Sequence, residues 1–152
     1  MLSWHLQLNQ ATQSAELQLR GFEEGSLTVA GQKFEISKQG FLSGKWHLLS
    51  QGQIIAQAHK PSSLTQRFLV STSGKEYSLI PVGLGRSMEL TGSETNLLIA
   101  PEHPFTRRST IRGSGDDFLL ASFSFWLTIM LWQRSQSMGV QISCSLTAPN
   151  IG

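Results

Sequence analysis

The chain has 152 residues, which is enough for one domain with a substantial core and tight for two. Charged residues make up 14% of the chain and the net charge is only +2, so we expect no nucleic-acid partner. The 14 glycines, with many Ser, Thr and Gln residues, are typical of a turn-rich β domain. The single cysteine, Cys144, excludes an internal disulfide framework. No basic start followed by an apolar run is present near Met1, so we expect a cytoplasmic protein.

Alternating apolar and polar residues between turn signals predict ten or eleven short strands. In chain order the predicted strands are residues 1–8, 15–20, 26–30, 33–37, 45–50, 53–59, 67–72, 76–81, 87–91, 96–100 and 105–112. Residues 9–14 are polar and are predicted as a turn. Regular spacing of this kind is typical of an all-β sandwich or barrel.

The fifteen residues from Phe118 to Trp132 carry no charge, and this length favours a helix over a strand. Asp116 is the candidate N-cap, and Arg134 suits the C-terminal end of the helix dipole. Apolar residues cover every direction of the helical wheel, so the helix must be enclosed by protein or by lipid. At about 1.5 Å per residue it spans roughly 22 Å, short of the ~30 Å bilayer core, which favours burial in protein.

Three polar residues interrupt this helix, and each can return its hydroxyl to the backbone one turn earlier. They are Ser122, Ser124 and Thr128. Together the strands and the helix predict a mainly β fold, a closed antiparallel β-barrel wrapped around a central helix from Phe118 to Trp132. Closure would leave no strand edge unpaired. We expect one domain over residues 1–134 and a loose tail over residues 135–152, in which residues 140–146 are a candidate final strand.

Scattered motifs point to a known family. The residues are Gly52, Ile54-Ile55-Ala56, Lys60-Pro61, Arg67-Phe68, Gly74-Lys75-Glu76-Tyr77-Ser78-Leu79, Phe105-Thr106-Arg107-Arg108, Phe123, Phe125-Trp126-Leu127 and Leu131-Trp132-Gln133-Arg134. With these the chain resembles an uncharacterised bacterial branch of the tubby C-terminal-like superfamily, which includes the LURP-one-related proteins and the phospholipid scramblases. The resemblance covers roughly residues 40–134. It implies a closed barrel of about twelve strands around a hydrophobic helix, and a lipid-related role. The chain lacks the calcium loop and cysteine cluster of scramblases, so the resemblance does not extend to scrambling.

No arrangement of residues in the sequence indicates catalysis, and we predict that the chain is not an enzyme. The four histidines show no metal-ligand spacing, so neither a metal nor a cofactor is predicted. The candidate site is a set of cations suited to phosphate contact, namely Arg107, Arg108, Arg112, Lys60 and Arg67. The alternative is a solvated rim in which these cations pair with Glu89, Glu94 and Glu102.

These observations predict a non-enzymatic binding domain for an anionic lipid or membrane surface, peripheral at the membrane. Two alternatives stay open at this point. One is a protein-interaction or structural domain that has a protein partner and no lipid role. The other is a β domain anchored in a membrane by its C-terminal helix.

Overall fold

The computed structural model describes residues 2–8, 11–20, 24–40, 44–62, 65–83, 86–101, 109–114 and 117–135. These residues form eleven strands and one helix. The strands are β1 (Leu2–Leu8), β2 (Ala11–Arg20), β3 (Glu24–Val29), β4 (Gln32–Lys38), β5 (Lys45–Ser50), β6 (Gln53–His59), β7 (Phe68–Thr72), β8 (Lys75–Pro81), β9 (Met88–Gly92), β10 (Thr95–Pro101) and β11 (Ser109–Ser114), and the helix is α1 (Phe118–Ser135). The mainly β prediction is confirmed.

All eleven strands belong to one antiparallel sheet, in which each strand pairs with the strand that follows it in the sequence. The order β1 to β11 is therefore a simple up-and-down meander. Among the described strands, no backbone pairing joins β1 to β11. Closure of the sheet into a barrel stays a prediction, as does the extent of the domain and of its tail, because residues 136–152 lie outside the described residues.

The predicted elements needed three corrections. The turn predicted over residues 9–14 is wrong over residues 11–14, because β2 begins at Ala11 and its first residues pair with β1, while residues 9 and 10 lie outside the described residues. The N-cap is Asp117 and not Asp116, since Asp117 Oδ1 accepts a hydrogen bond of 3.0 Å from the Leu120 amide. The helix continues beyond Trp132 and ends at Ser135.

Two-residue turns with positive φ at both central residues close three of the hairpins, β3–β4, β5–β6 and β7–β8. The central residues are Ala30-Gly31, Gln51-Gly52 and Ser73-Gly74, all with positive φ between 51° and 82°. Positive φ at both central positions is the geometry of a type I′ turn, whose twist matches that of the flanking strands. Glycine at the second position tolerates this conformation without strain.

The core lies between one face of the sheet and the helix. Alternate strand residues are buried, as in β5, where Trp46 and Leu48 point inward. Phe34, Ile36 and Phe68 are also among the buried side chains. The Trp46 and Phe68 rings meet edge to face, with their centroids 5.5 Å apart.

The helix is enclosed by the chain itself. All residues from 120 to 131 are buried, a run of more than three turns that covers every direction around the helix axis. Helix α1 is bonded to the sheet through Trp126, whose Nε1 donates to the Gln18 backbone oxygen in β2 at 3.0 Å. In the part of the chain that the structure describes, no helix has both the length and the hydropathy needed to cross a membrane.

Two of the three polar residues of α1 return their hydroxyls to the backbone one turn earlier, as predicted. Ser122 Oγ donates to the Phe118 carbonyl and Thr128 Oγ1 to the Ser124 carbonyl, both at 2.8 Å. Ser124 is the exception, because its buried Oγ has no hydrogen-bond partner among the described residues. This hydroxyl is a local cost in the core, since a buried polar group without a partner destabilises the folded state.

Gly25 in β3 permits the close approach of helix and sheet. A methyl group added there would collide with the Gln18 backbone oxygen and lie 2.9 Å from Trp126 Nε1. We expect Gly25→Ala to lower the free energy of unfolding by about 2–3 kcal/mol, because it separates the indole from its acceptor and strains the sheet. Urea denaturation measures this change.

The control is Gly52→Ala, at a turn position with φ +82° and no atom within contact distance of the added methyl group. Its cost is conformational only, about 1 kcal/mol. Equal losses in the two variants would contradict the account of the Gln18–Gly25–Trp126 contact.

Candidate functional site

The two ends of the sheet differ in the length of their connections. Connections that follow odd-numbered strands lie at one end, and at β3–β4, β5–β6, β7–β8 and β9–β10 they have two residues each. Connections that follow even-numbered strands lie at the other end, where four of the five have six to eight residues. We call these the turn end and the loop end. Long connections on a rigid scaffold are where binding residues concentrate, so the loop end is the candidate site.

Charge follows the same division. At the loop end we count the described charged side chains that lie in a connection or in the first or last two residues of a strand next to it. They comprise two carboxylates, Glu24 and Glu89, and five cations, namely Lys38, Lys45, Lys60, Arg67 and Arg86. At the turn end, the corresponding described groups are two cations and three carboxylates, namely Lys33, Lys75, Glu76, Glu94 and Asp117. The loop end is therefore the electropositive end.

The predicted cation set divides in the structure. Lys60 and Arg67 both belong to the β6–β7 connection at the loop end, Lys60 half-buried and Arg67 exposed. Arg112 lies within β11, opposite Leu98 of β10. Arg107 and Arg108 lie outside the described residues, in the connection between β10 and β11. The structure thus brings Lys60 and Arg67 to one end, and it leaves the grouping of all five as a prediction.

The alternative reading, a rim neutralised by acids, is weakened at one position. Glu94 lies in the β9–β10 turn, at the opposite end of the sheet from Lys60 and Arg67. A strand of five to seven residues at about 3.3 Å each separates the ends by roughly 17–23 Å, which is too far for an ion pair. Glu102 lies outside the described residues.

Backbone contacts hold the described parts of the loop end in place. The Lys60 amide donates to the Gly44 carbonyl and the Gln39 amide to the Lys45 carbonyl, both at 2.8 Å. Gly44 has φ +60°, and a methyl group there would lie 2.8 Å from the Lys60 carbonyl oxygen. These contacts join the β4–β5 and β6–β7 connections, so Lys45 and Lys60 lie on neighbouring, mutually bonded segments.

A second arrangement at the loop end joins the C-terminal part of α1 to the β8–β9 connection. Trp132 Nε1 donates to the Arg86 carbonyl at 2.8 Å, and the Arg86 guanidinium carbon lies 5.6 Å from the centroid of the Trp132 ring. The Val82 amide donates to the Ser87 carbonyl at 3.0 Å and closes the base of the same connection. Arg86 is therefore held at both its backbone and its side chain, the latter by a cation–π contact.

A cleft of about 100 Å³ lies beside this contact. It is partly open, and its lining combines apolar and polar groups; the residues are Gln66, Pro81, Arg86, Ser87, Met88, Leu131 and Trp132. Met88 and Leu131 are buried and form the apolar part, while Arg86, Ser87 and Gln66 supply hydrogen-bond donors. We call it the Arg86 cleft.

Sequence reasoning missed Arg86. In the sequence it lies alone in the β8–β9 connection, with no other cation next to it, and its partner Trp132 is 46 residues further along the chain. The order of the strands could have identified Arg86 as a candidate, because in a meander every second connection lies at the same end of the sheet. Sorting the cations by that rule groups Arg86 with Lys60 and Arg67.

Within the described part of the chain, no group of three or more His, Cys, Asp or Glu side chains could hold a metal ion. Comparison with known proteins adds no further constraint: no protein-family model, curated protein or solved structure matches the chain. The geometry and charge of the loop end are therefore the features of the molecule that bear on its function.

The hydrogen bond from Trp132 to Arg86 should stabilise the β8–β9 connection locally. In Trp132→Phe an aromatic ring remains at this position but the indole N–H donor is lost, which removes about 1 kcal/mol of local stabilisation. Amide hydrogen exchange at Val82, whose bond closes the β8–β9 connection, should accelerate about five-fold. Exchange at Gln53, at the turn end, serves as the control; unchanged exchange at Val82 would contradict the assigned role of the indole.

Proposed function

We propose that the chain is a non-enzymatic binding domain that places its loop end against an anionic lipid or membrane surface. The observation that carries this proposal is the segregation of charge between the ends of the sheet, with five of the described cations at the loop end. Arginine and lysine at such positions meet phosphate and carboxylate headgroups with charge-assisted hydrogen bonds.

The magnitude of this attraction favours reversible binding. Each Lys or Arg near an anionic surface contributes about 1 kcal/mol, and the two carboxylates at the loop end reduce the sum to roughly 3–5 kcal/mol. That range corresponds to dissociation constants between about 6 mM and about 0.2 mM, which is weak binding unless other contacts also hold the protein at the surface. Such binding weakens as salt screens the charges.

Apolar side chains at the same end add to this attraction. Val82 is 36% exposed in the β8–β9 connection, and Pro61 is exposed in the β6–β7 connection. Both lie among the cations, where an apolar group can enter the headgroup region while its charged neighbours stay at the surface. The turn end offers a smaller share of cations and shorter connections.

The barrel belongs to the same proposal. We infer that the sheet curls around α1 towards closure, which the burial of residues 120–131 in every direction supports. The contacts of α1 support it too, because Trp126 bonds to β2 and Trp132 to the β8–β9 connection, and these strands are far apart in the order of the sheet. The resemblance to the tubby C-terminal-like superfamily is likewise proposed, and the strand meander followed by one enclosed helix supports it.

The alternative is a protein-interaction domain that uses the same electropositive end against an acidic partner. Ile54, 56% exposed, and Leu69, 39% exposed, are apolar side chains on the outer face of the sheet that would suit such contacts. They lie towards opposite ends of β6 and β7 and form no continuous patch, so we favour the lipid surface.

Co-sedimentation with vesicles tests the proposal. The wild-type chain should sediment with phosphatidylcholine vesicles that contain phosphatidylserine, and not with phosphatidylcholine alone, at low salt. The double variant Lys60→Gln/Arg67→Gln should bind about thirty-fold more weakly, since two cations at about 1 kcal/mol each are removed.

The matched control is Lys33→Gln/Lys75→Gln, which removes the same charge from the turn end and should bind as the wild type does. Two results would overturn the proposal. One is a wild-type chain that stays in the supernatant with the anionic vesicles, and the other is an equal loss in both double variants.

A further inference from the structure

We infer that the loop end takes up a proton on His59 when it binds an anionic surface, so that binding tightens as the solution becomes more acidic. This inference depends on the proposed function, and it concerns the regulation of the same end of the sheet. Its starting point is the position of one histidine, which lies among loop-end cations and has no carboxylate at the described strand positions around it.

His59 lies at the loop end, on the outer face of the sheet. It is the last residue of β6 and directly precedes Lys60. Ala58 is buried whereas His59 is half-buried, so the alternation of the strand places the imidazole on the outer face. The Lys60 amide donates to the Gly44 carbonyl at 2.8 Å and holds the backbone next to His59. The imidazole therefore has a fixed position at the electropositive end without being enclosed in the core.

The groups around His59 on this face are cationic or uncharged. Strands β5, β6 and β7 supply its direct and diagonal neighbours, which are Lys45, His47, Gln57, Leu69 and Ser71. Lys60 and Arg67 follow in the β6–β7 connection. A proton on His59 therefore adds positive charge to a cluster that is already positive, and none of these neighbours is a carboxylate that could offset it.

An anionic surface at the loop end supplies the missing negative charge. A nearby negative charge favours the charged form of an imidazole. Because the coupling between two binding events is reciprocal, the proton then strengthens surface binding by the same factor. One added charge near an anionic surface corresponds to a change in affinity of about five-fold. Histidine is the side chain that ordinarily gains this charge between about pH 8 and pH 5.

The other histidines are placed less favourably or lie outside the description. His47 is on the same face but two residues nearer the turn end, a displacement of roughly 7 Å along the strand. That distance is close to the screening length of about 8 Å at physiological salt, so we expect His47 to contribute less. The side chains of His5 and His103 lie outside the described residues. Substitution of His59 alone isolates its own share of the pH dependence.

The test measures co-sedimentation at about pH 5.5 and about pH 7.5, at constant ionic strength. The vesicles contain phosphatidylcholine and phosphatidylglycerol, whose phosphate diester keeps its charge over this range. The ratio of the two affinities should be about five-fold smaller in His59→Gln than in the wild type. His59→Lys carries its charge at both pH values, so it should bind about five-fold more tightly than the wild type at the higher pH.

The matched control is His47→Gln, the same substitution on the same face further from the loop end, which should keep most of the wild-type ratio. A second readout needs no vesicles. NMR signals of the His59 ring, identified by their loss in His59→Gln, should move towards their acidic position when sulfate replaces chloride at about pH 6.5. An amide spectrum like that of the wild type verifies that each variant is folded.

Either of two results would overturn the inference: an affinity ratio in His59→Gln equal to that of the wild type, or no gain in His59→Lys at the higher pH. If vesicles sediment with the wild-type chain equally at both pH values, the proton coupling is wrong and the proposed function stands. If they sediment at neither pH, the proposed function falls. The sulfate readout then decides the coupling, which a shift of the His59 signals retains for a soluble anion and an absent shift excludes.

Discussion

The rest of the structure depends on one constraint, which is that α1 has no polar face. A helix with an apolar surface in every direction has to be covered in every direction, and a flat sheet can cover only one side. Burial of all residues from 120 to 131 shows that the chain meets this demand. Bonds from Trp126 to β2 and from Trp132 to the β8–β9 connection fix the helix at two levels along its length. Helix burial therefore requires the chain to pack against every side of α1.

The strand meander has two unlike ends. Helix α1 starts at the turn end, where Asp117 caps it, and its C-terminal part reaches the loop end, where Trp132 meets Arg86. Tight turns leave little room for side-chain diversity, whereas the longer connections can present cations without disturbing the core. The proposed function is thereby separated from stability: the helix and the inward strand faces hold the fold, and the charges of the loop end lie outside the core.

Much of this could be predicted from local sequence, and the exceptions have physical reasons. The hairpin of β5 and β6 was predicted with its observed bounds, because Gln51-Gly52 marks the turn and Lys60-Pro61 ends the second strand. Residues 11–14 were misassigned because polar strands resemble loops until their partner, β1, is known. The Arg86–Trp132 contact was missed because it joins residues distant in sequence and depends on where α1 ends. A contact between residues so far apart in the chain cannot be predicted from any single short segment of the sequence.

A charge scan around α1 tests the enclosed helix most directly. Ala121, Ser122, Phe123 and Ser124 follow one another at about 100° intervals, so four single substitutions to Lys examine every side of the helix. Each should lower the free energy of unfolding by about 3 kcal/mol or more, because each buries an unpaired charge, whereas Gln53→Lys at an exposed strand end should have little effect. If any of the four unfolds at the same urea concentration as the wild type, one side of α1 faces water and the account is wrong.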